Sequence, residues 1–381
     1  MRSAAPFCLT LLLLLSLSLP AFGNDEKDEG NLPANVEEAL SALLSDTSRG
    51  RPAPSAETLS SVLDFVTADG LSSARVRPAR RPQGQGAFLR EHLNIPLKRI
   101  IAYTLNPAVP GEAVYPSVVR RNAWLPGSEI LVKGKELLAT PLPPTGTLTV
   151  KGTEFEETTP DASSGCYYTY RLDRLFVLTS YKGRTALFSI SSMPNQSEVG
   201  KKGATVGKDA DWTHVYSGVT GTNITMLGWA ETYLYGSASV SVFLDNGSGT
   251  DLYMFKWARA GWAGSNVVKP THITAGLKRF AASMRQVLEN PGTPAPEAIA
   301  AEFAALSGLS DAELRARLSG YAQYLSKQPD KLLKEKAFAR VLADGAYADT
   351  LNRDNLIAEL MKLYMRGQLG NLPAEVASTL H

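Results

Sequence analysis

The stretch ASVSVFLDNGSGTDLYMFKW, residues 238–257, decides the fold class. Ala238 to Leu244 and Leu252 to Trp257 are two β-branched and aromatic runs, the composition of a half-buried sheet. They are joined by Asp245-Asn246-Gly247-Ser248-Gly249-Thr250, a glycine-rich turn segment that makes a hairpin. Tyr253, Phe255 and Trp257 recur every second residue, so they share one face of the second strand.

Outward from this hairpin the period of two continues. Thr225 to Tyr235, Thr213 to Val219, Thr185 to Ile190 and Tyr167 to Leu178 read as strands, with a turn at Lys182-Gly183. Leu97 to Tyr103 reads as another strand, stopped by Pro107 and Pro110. Sequential strands with short connections imply an antiparallel sheet, curled or folded into a sandwich. The residues between 106 and 165 carry the weakest pattern.

After Pro270 the period becomes 3.6. Ile273, Leu277, Phe280, Ala281, Met284, Val287 and Leu288 form one stripe, which predicts an amphipathic helix packed on the sheet. Asn290-Pro291-Gly292 ends it, and 291–296 reads as a hinge. Residues 296–381 are helical throughout: Ser310 and Glu313 form a capping box, and Leu356, Leu360, Met361 and Met365 lie on a stripe closed by Gly367 at a C-cap position. This segment holds ten basic and eleven acidic residues, so it is neither a basic arm nor an acidic tail.

Towards the N-terminus, Val36, Leu40 and Leu43, then Leu59, Val62 and Val66, give two short helices. Arg75, Arg77, Arg80 and Arg81 interleave with Pro78 and Pro82, which reads as a solvated connector. Residues 1–23 carry Arg2, an apolar run from Leu9 to Leu19 and the small-x-small site Ala21-Phe22-Gly23, a secretory signal cleaved after Gly23. The expected organisation is therefore α+β: a signal peptide (1–23), short helices and a linker (24–87), an antiparallel β-rich central domain ending in a long helix (88–290), and a small all-helical module (296–381). The expected location is secreted or periplasmic, with no transmembrane segment in the mature chain. An eight-stranded outer-membrane barrel is disfavoured by the C-terminal helices and the strand-breaking prolines.

Composition limits function. Net charge is +2, with 39 basic and 37 acidic residues, so no field argues for nucleic acid. Cleavage leaves Cys166 alone, with no internal disulfide; beside Tyr167 and Tyr168 it reads as a buried small hydrophobe rather than a nucleophile. The four histidines, His92, His214, His272 and His381, form no ligand cluster, so neither a metal nor a cofactor is expected. No Gly-x-Ser-x-Gly elbow, phosphate-binding loop or dinucleotide fingerprint occurs. Asp245 to Asp251 lacks calcium-loop ligand spacing because Gly247 and Gly249 take ligand positions.

Three functions follow. Sixteen of the 31 Phe, Trp and Tyr lie between 166 and 262, which suggests a non-enzymatic protein holding a hydrophobic or aromatic-stacking ligand. Its candidate binding residues are Trp212, His214, Trp229, Tyr233, Tyr235, Tyr253 and Trp257, with the loop 194–214 as the first place for a site. A rival is an envelope hydrolase or transferase using loop carboxylates at 154–161 and at Asp209 and Asp211 with His214. The third is an assembly protein that docks a partner through its C-terminal helices.

Overall fold

The computed structural model describes residues 30–47, 52–161, 164–224, 228–327, 332 and 335–377; the expected signal peptide lies outside them. The protein is α+β, built on a seven-stranded antiparallel sheet. Its strands are β1 (Gln85–Leu93), β2 (Val119–Trp124), β3 (Leu148–Thr158), β5 (Thr169–Tyr181), β6 (Arg184–Ser192), β11 (Tyr233–Asp245) and β12 (Thr250–Gly261), in the order β1-β12-β11-β6-β5-β3-β2. A second sheet of three strands pairs β4 (Cys166–Tyr167), β7 (Lys201–Thr205) and β8 (His214–Thr220). The short strands β9 (Thr222–Ile224) and β10 (Gly228–Ala230) pair with each other.

The deciding hairpin forms as read. β11 meets β12 through a four-residue turn in which Asn246 Oδ1 accepts from the backbone N–H of Ser248 and Gly249. The side-chain oxygens of this loop therefore serve the turn itself. Lys182 and Gly183 both take positive φ (48° and 77°) and close the β5–β6 hairpin in two residues.

Both faces of the large sheet are covered, so its central strands are apolar on both sides. One face presents Val177, Phe188, Val240, Val242, Phe255 and Trp257 to α1 (Ala34–Ser45) and α2 (Ala56–Val66), whose Leu40, Leu43, Val62 and Leu63 complete that core. The N-terminal helices are thus a layer of the β-domain. The arginine-rich stretch fastens this layer. Arg81 pairs with Glu37 at 2.7 Å and its guanidinium sits 4.6 Å from the Trp257 ring centre, while Trp257 Nε1 donates to Ala79 O at 2.8 Å. That corrects the expected solvated connector: a buried indole recruits the nearest cation and carbonyl.

The other face presents Leu89, Phe176, Leu187, Phe243, Leu252 and Met254. Against it lie α3 (Leu97–Thr104), the single-turn α4 (Gly111–Val114), α5 (Ile130–Ala139) and the expected long helix α6 (Pro270–Leu288). Residues 97–103 are helix, not strand: Leu97, Ile100, Ile101 and Tyr103 are buried at helical spacing, and Pro96 precedes them where no helical N–H is needed.

The C-terminal helices are α7 (Pro296–Gly308), α8 (Asp311–Ser326), α9 (Lys336–Leu342), α10 (Arg353–Gln368) and α11 (Ala374–Ala377). The Ser310–Glu313 capping box is present, with Ser310 N donating to Glu313 Oε2 at 2.7 Å. The α10 terminator is Gly370 (φ 70°), not Gly367: Gly370 N donates to Gly367 O and Asn371 N to Arg366 O, a Schellman closure that leaves Gly367 inside the helix. Leu314, Leu318, Leu356, Leu360 and Met361 share a continuous core with the large sheet. Among the described residues no helix is long and apolar enough to cross a membrane.

Candidate functional site

β2 is an edge strand and carries Arg120 and Arg121 in succession. A register shift between Val119 and Arg121 disturbs the alternation of side chains. Both guanidinium groups consequently reach Glu157 on β3, Arg120 at 2.5 Å and Arg121 at 3.8 Å. The Arg120–Glu157 pair is buried, with side chains 3% and 7% exposed. Burial alone would lower the arginine's pKa, but Glu157 outweighs it and holds Arg120 firmly charged.

The three-stranded sheet supplies the floor. The Arg120 guanidinium lies 3.6 Å from the Tyr216 ring centre and 5.5 Å from that of Tyr167, and the two tyrosines meet edge to face at 5.1 Å. The C-terminal helices supply the opposite wall through Arg340 on α9, Thr350, and Asn352 and Asn355 at the start of α10. Between these surfaces is a cavity of about 340 Å³. It is polar and incompletely satisfied. Tyr216 OH, Asn355 Oδ1, Arg120 Nε and Arg121 Nε are buried without a hydrogen-bond partner, four of the thirteen such atoms among the described residues. Buried polar atoms are normally paired, so these four residues bring unused hydrogen-bonding capacity to the region of this cavity.

Behind the floor the charge continues into the seam between β8, α6 and α10. Asp209 receives Arg279 through Nε at 2.8 Å and Nη2 at 2.5 Å, and stands 3.7 Å from His214 Nε2. Burial raises the Asp209 pKa, but the hydrogen bonds and charge of Arg279, with His214 nearby, outweigh it and hold the carboxyl below the usual range. His214 is buried, and desolvation pulls it down to about 4, against the pull of Asp209. Arg366 Nη1 donates to Thr213 Oγ1 at 2.9 Å. Desolvation also raises Glu112 to about 7 and lowers Lys362 to about 8, with each easing the other's shift. A smaller cavity of about 230 Å³ lies between Glu129, Lys151, Asp173 and Thr47.

The aromatic residues expected to bind a ligand are dispersed. Tyr253 and Trp257 are in the core under α1 and α2. Trp212 is in the core on the opposite face, with Nε1 donating to Gln286 at 2.9 Å. Trp229 is 53% exposed on β10, away from the large sheet, and Tyr233 and Tyr235 stack on each other at 6.0 Å. None of them lines either cavity. The physical reason is strand alternation: residues that share one strand face still end on opposite sides of the sheet, or outside it, when they come from different strands.

The expected loop 194–214 is the β7–β8 hairpin, with a 3₁₀ turn at Asp209–Asp211 and Trp212 at φ 54° sending the chain into β8. Glu154, Glu156 and Glu157 lie on β3 rather than in a loop. Glu154 and Glu156 accept from Asn122 and Tyr170, whereas Glu157 takes the arginines. Cys166 is buried, its Sγ 3.7 Å from Thr232 Oγ1. Arg120, Tyr167, Tyr216, Arg340 and Asn355 were not singled out by sequence. The available signal was charge complementarity, since Arg120-Arg121 pairs antiparallel with a Glu-rich strand.

No protein-family model matches the sequence, and no curated protein does. Among solved structures, the chain is similar to the X-ray structure of protein CV1439 from Chromobacterium violaceum. The match is 12% identical, covers 54% of this chain and 97% of that one, and has a TM-score of 0.19. A likeness that slight bears on neither fold nor function.

Proposed function

We propose that the protein is an exported, non-enzymatic binding protein that takes a small polar molecule into the cavity between β2, β8 and the C-terminal helices. The carrying observation is that residues lining that cavity, Tyr216 and Asn355 among them, carry buried donor and acceptor atoms with no partner. Its volume of about 340 Å³ suits a metabolite rather than a polymer. Export rests on the signal-like pattern of residues 1–23. A hydrophobic or aromatic-stacking ligand has less support, because Trp212, Tyr253 and Trp257 are used in the core. Catalysis has less support too: His214, the obvious base, is buried and lines neither cavity. Partner docking through the C-terminal helices is weakened by the burial of their apolar stripes within this chain.

The test is native mass spectrometry of the protein from its own host's exported fraction, before and after denaturing extraction. A small-molecule adduct that extraction removes, and that Asn355→Leu and Tyr216→Phe each reduce at least tenfold, is the expected result. A bare chain mass in every preparation sinks the reading, and an adduct indifferent to both substitutions places the ligand elsewhere.

A further inference from the structure

Resting on that reading, we propose that the ligand is a small hydroxy-bearing organic acid, its single carboxylate held by Arg340. Charge accounting comes first. Four cationic side chains line the cavity. Arg120 is taken by Glu157, Arg121 by Glu157 and Asp354, and Lys201 by Glu198 at 3.7 Å. Among the described residues Arg340 has no carboxylate within ion-pairing distance, so one positive charge is left over, and a guanidinium fork matches a carboxylate's two oxygens.

Hydrogen-bond capacity comes second. Asn355 Oδ1 only accepts, and it has no donor. A bare oxyanion cannot satisfy it; a hydroxyl group on the ligand can. The Tyr216 hydroxyl, also unpartnered, both donates and accepts, and so fits a second hydroxyl or the carboxylate itself.

Ring faces come third. Tyr216 is covered by Arg120 at 3.6 Å, and Phe155 by Arg121 at 4.6 Å. A guanidinium already covers one face of each of these two rings, which favours hydrogen bonding over stacking as the mode of recognition.

Calorimetric titration of the intact exported chain with matched probes tests this. Glucuronate is compared with glucose, glycerate with glycerol, and inorganic phosphate is titrated alone. At least one acid binds tenfold or more tightly than its neutral partner, and phosphate binds more weakly than that acid. Arg340→Gln, at an exposed position, abolishes the acid's advantage, whereas Asn355→Leu weakens acid and neutral partner alike. A neutral probe that binds as well as its acid overturns the acid assignment and leaves the cavity reading standing. Phosphate binding tightest reassigns the site to a bare oxyanion. Silence from all five probes at millimolar concentration overturns the acid assignment, and the mass-spectrometric adduct then decides whether the cavity reading falls with it.

Discussion

Substituting Glu157 by Gln gives a direct measure of how dry the seam at β2 is. Glu157 is 7% exposed and faces Arg120, 3% exposed, at 2.5 Å. The amide keeps the shape and one hydrogen bond but removes the charge. Arg120 then stays buried on Tyr216 with no counter-charge, and Arg121 loses its 3.8 Å contact. Leaving one member of a buried pair uncompensated costs about 3–5 kcal/mol, a large share of the ~5–15 kcal/mol that holds a domain together. The double variant Arg120→Met/Glu157→Leu removes both charges and fills their volume with apolar atoms, and such replacements are often neutral or stabilising. Urea denaturation followed by tryptophan fluorescence reads the difference, with the slope checked for constancy. Glu157→Gln lowers the midpoint strongly, and the double variant recovers most of the loss. A single-variant loss below about 1 kcal/mol, the worth of a solvated surface pair, refutes the claim that this pair is desolvated. A double variant as unstable as the single one shows instead that Arg120 acts mainly through its packing on Tyr216.

Trp257→Ala empties a fully buried site, strands Ala79 O and uncovers the Arg81 guanidinium; a loss of about 3–5 kcal/mol is expected in the same denaturation assay. His214 has a folded pKa depressed to about 4 from 6.5, so the unfolded chain takes up the proton first. Its contribution is therefore complete above pH 6.5 and is lost as pH falls towards 4, to about 3 kcal/mol. Stability measured across pH 7 to 4 should slope less steeply in His214→Phe, and parallel curves would sink the assignment. Native Cys166 should resist a soluble thiol reagent and react fully in denaturant; stoichiometric labelling of the folded chain within minutes contradicts its burial.

What could be read from sequence was whatever is periodic and local. The β11–β12 hairpin, helix α6 and the Ser310–Glu313 cap each carry their signal within a few turns of chain. Residues 97–103 misled because Leu97, Ile100, Ile101 and Tyr103 in so short a run fit either period, and only burial separated helix from strand. Gly367 and Gly370 are both plausible terminators by composition; the backbone needed φ > 0 only at the second. The aromatic count locates the core but does not say which side of a sheet a ring occupies, so it could not separate core packing from a pocket. The cavity residues were invisible for another reason. Arg120, Tyr216, Arg340 and Asn355 come from four separate elements, and no pattern of local spacing joins residues that only tertiary packing brings together.

The placement of charge bears on function in its own right. Helices α7 to α10 already dock through Leu314, Leu318, Leu356 and Met361, and that contact is enough to hold a helical layer on a sheet. Burying Glu112, Glu359 and Lys362 at the same seam adds desolvation cost that an apolar seam would avoid. Lys362 Nζ and one Glu112 oxygen have no hydrogen bond at all. Apolar packing alone would hold this layer at lower cost. Arg120, Tyr167 and Tyr216 meet at the β2 edge of the large sheet, with Asn352 and Asn355 at the start of α10 opposite; Glu359 and Lys362 lie further along α10, and Glu112 on α4. A molecule seated in the cavity would contact β2, β8 and α10 at once, so its occupancy would hold the C-terminal helices against the sheet. The α1–α2 layer is held by apolar area and a few polar fastenings such as Arg81–Glu37 and Trp257–Ala79, whereas the β2 edge adds a buried ion pair to its apolar contacts.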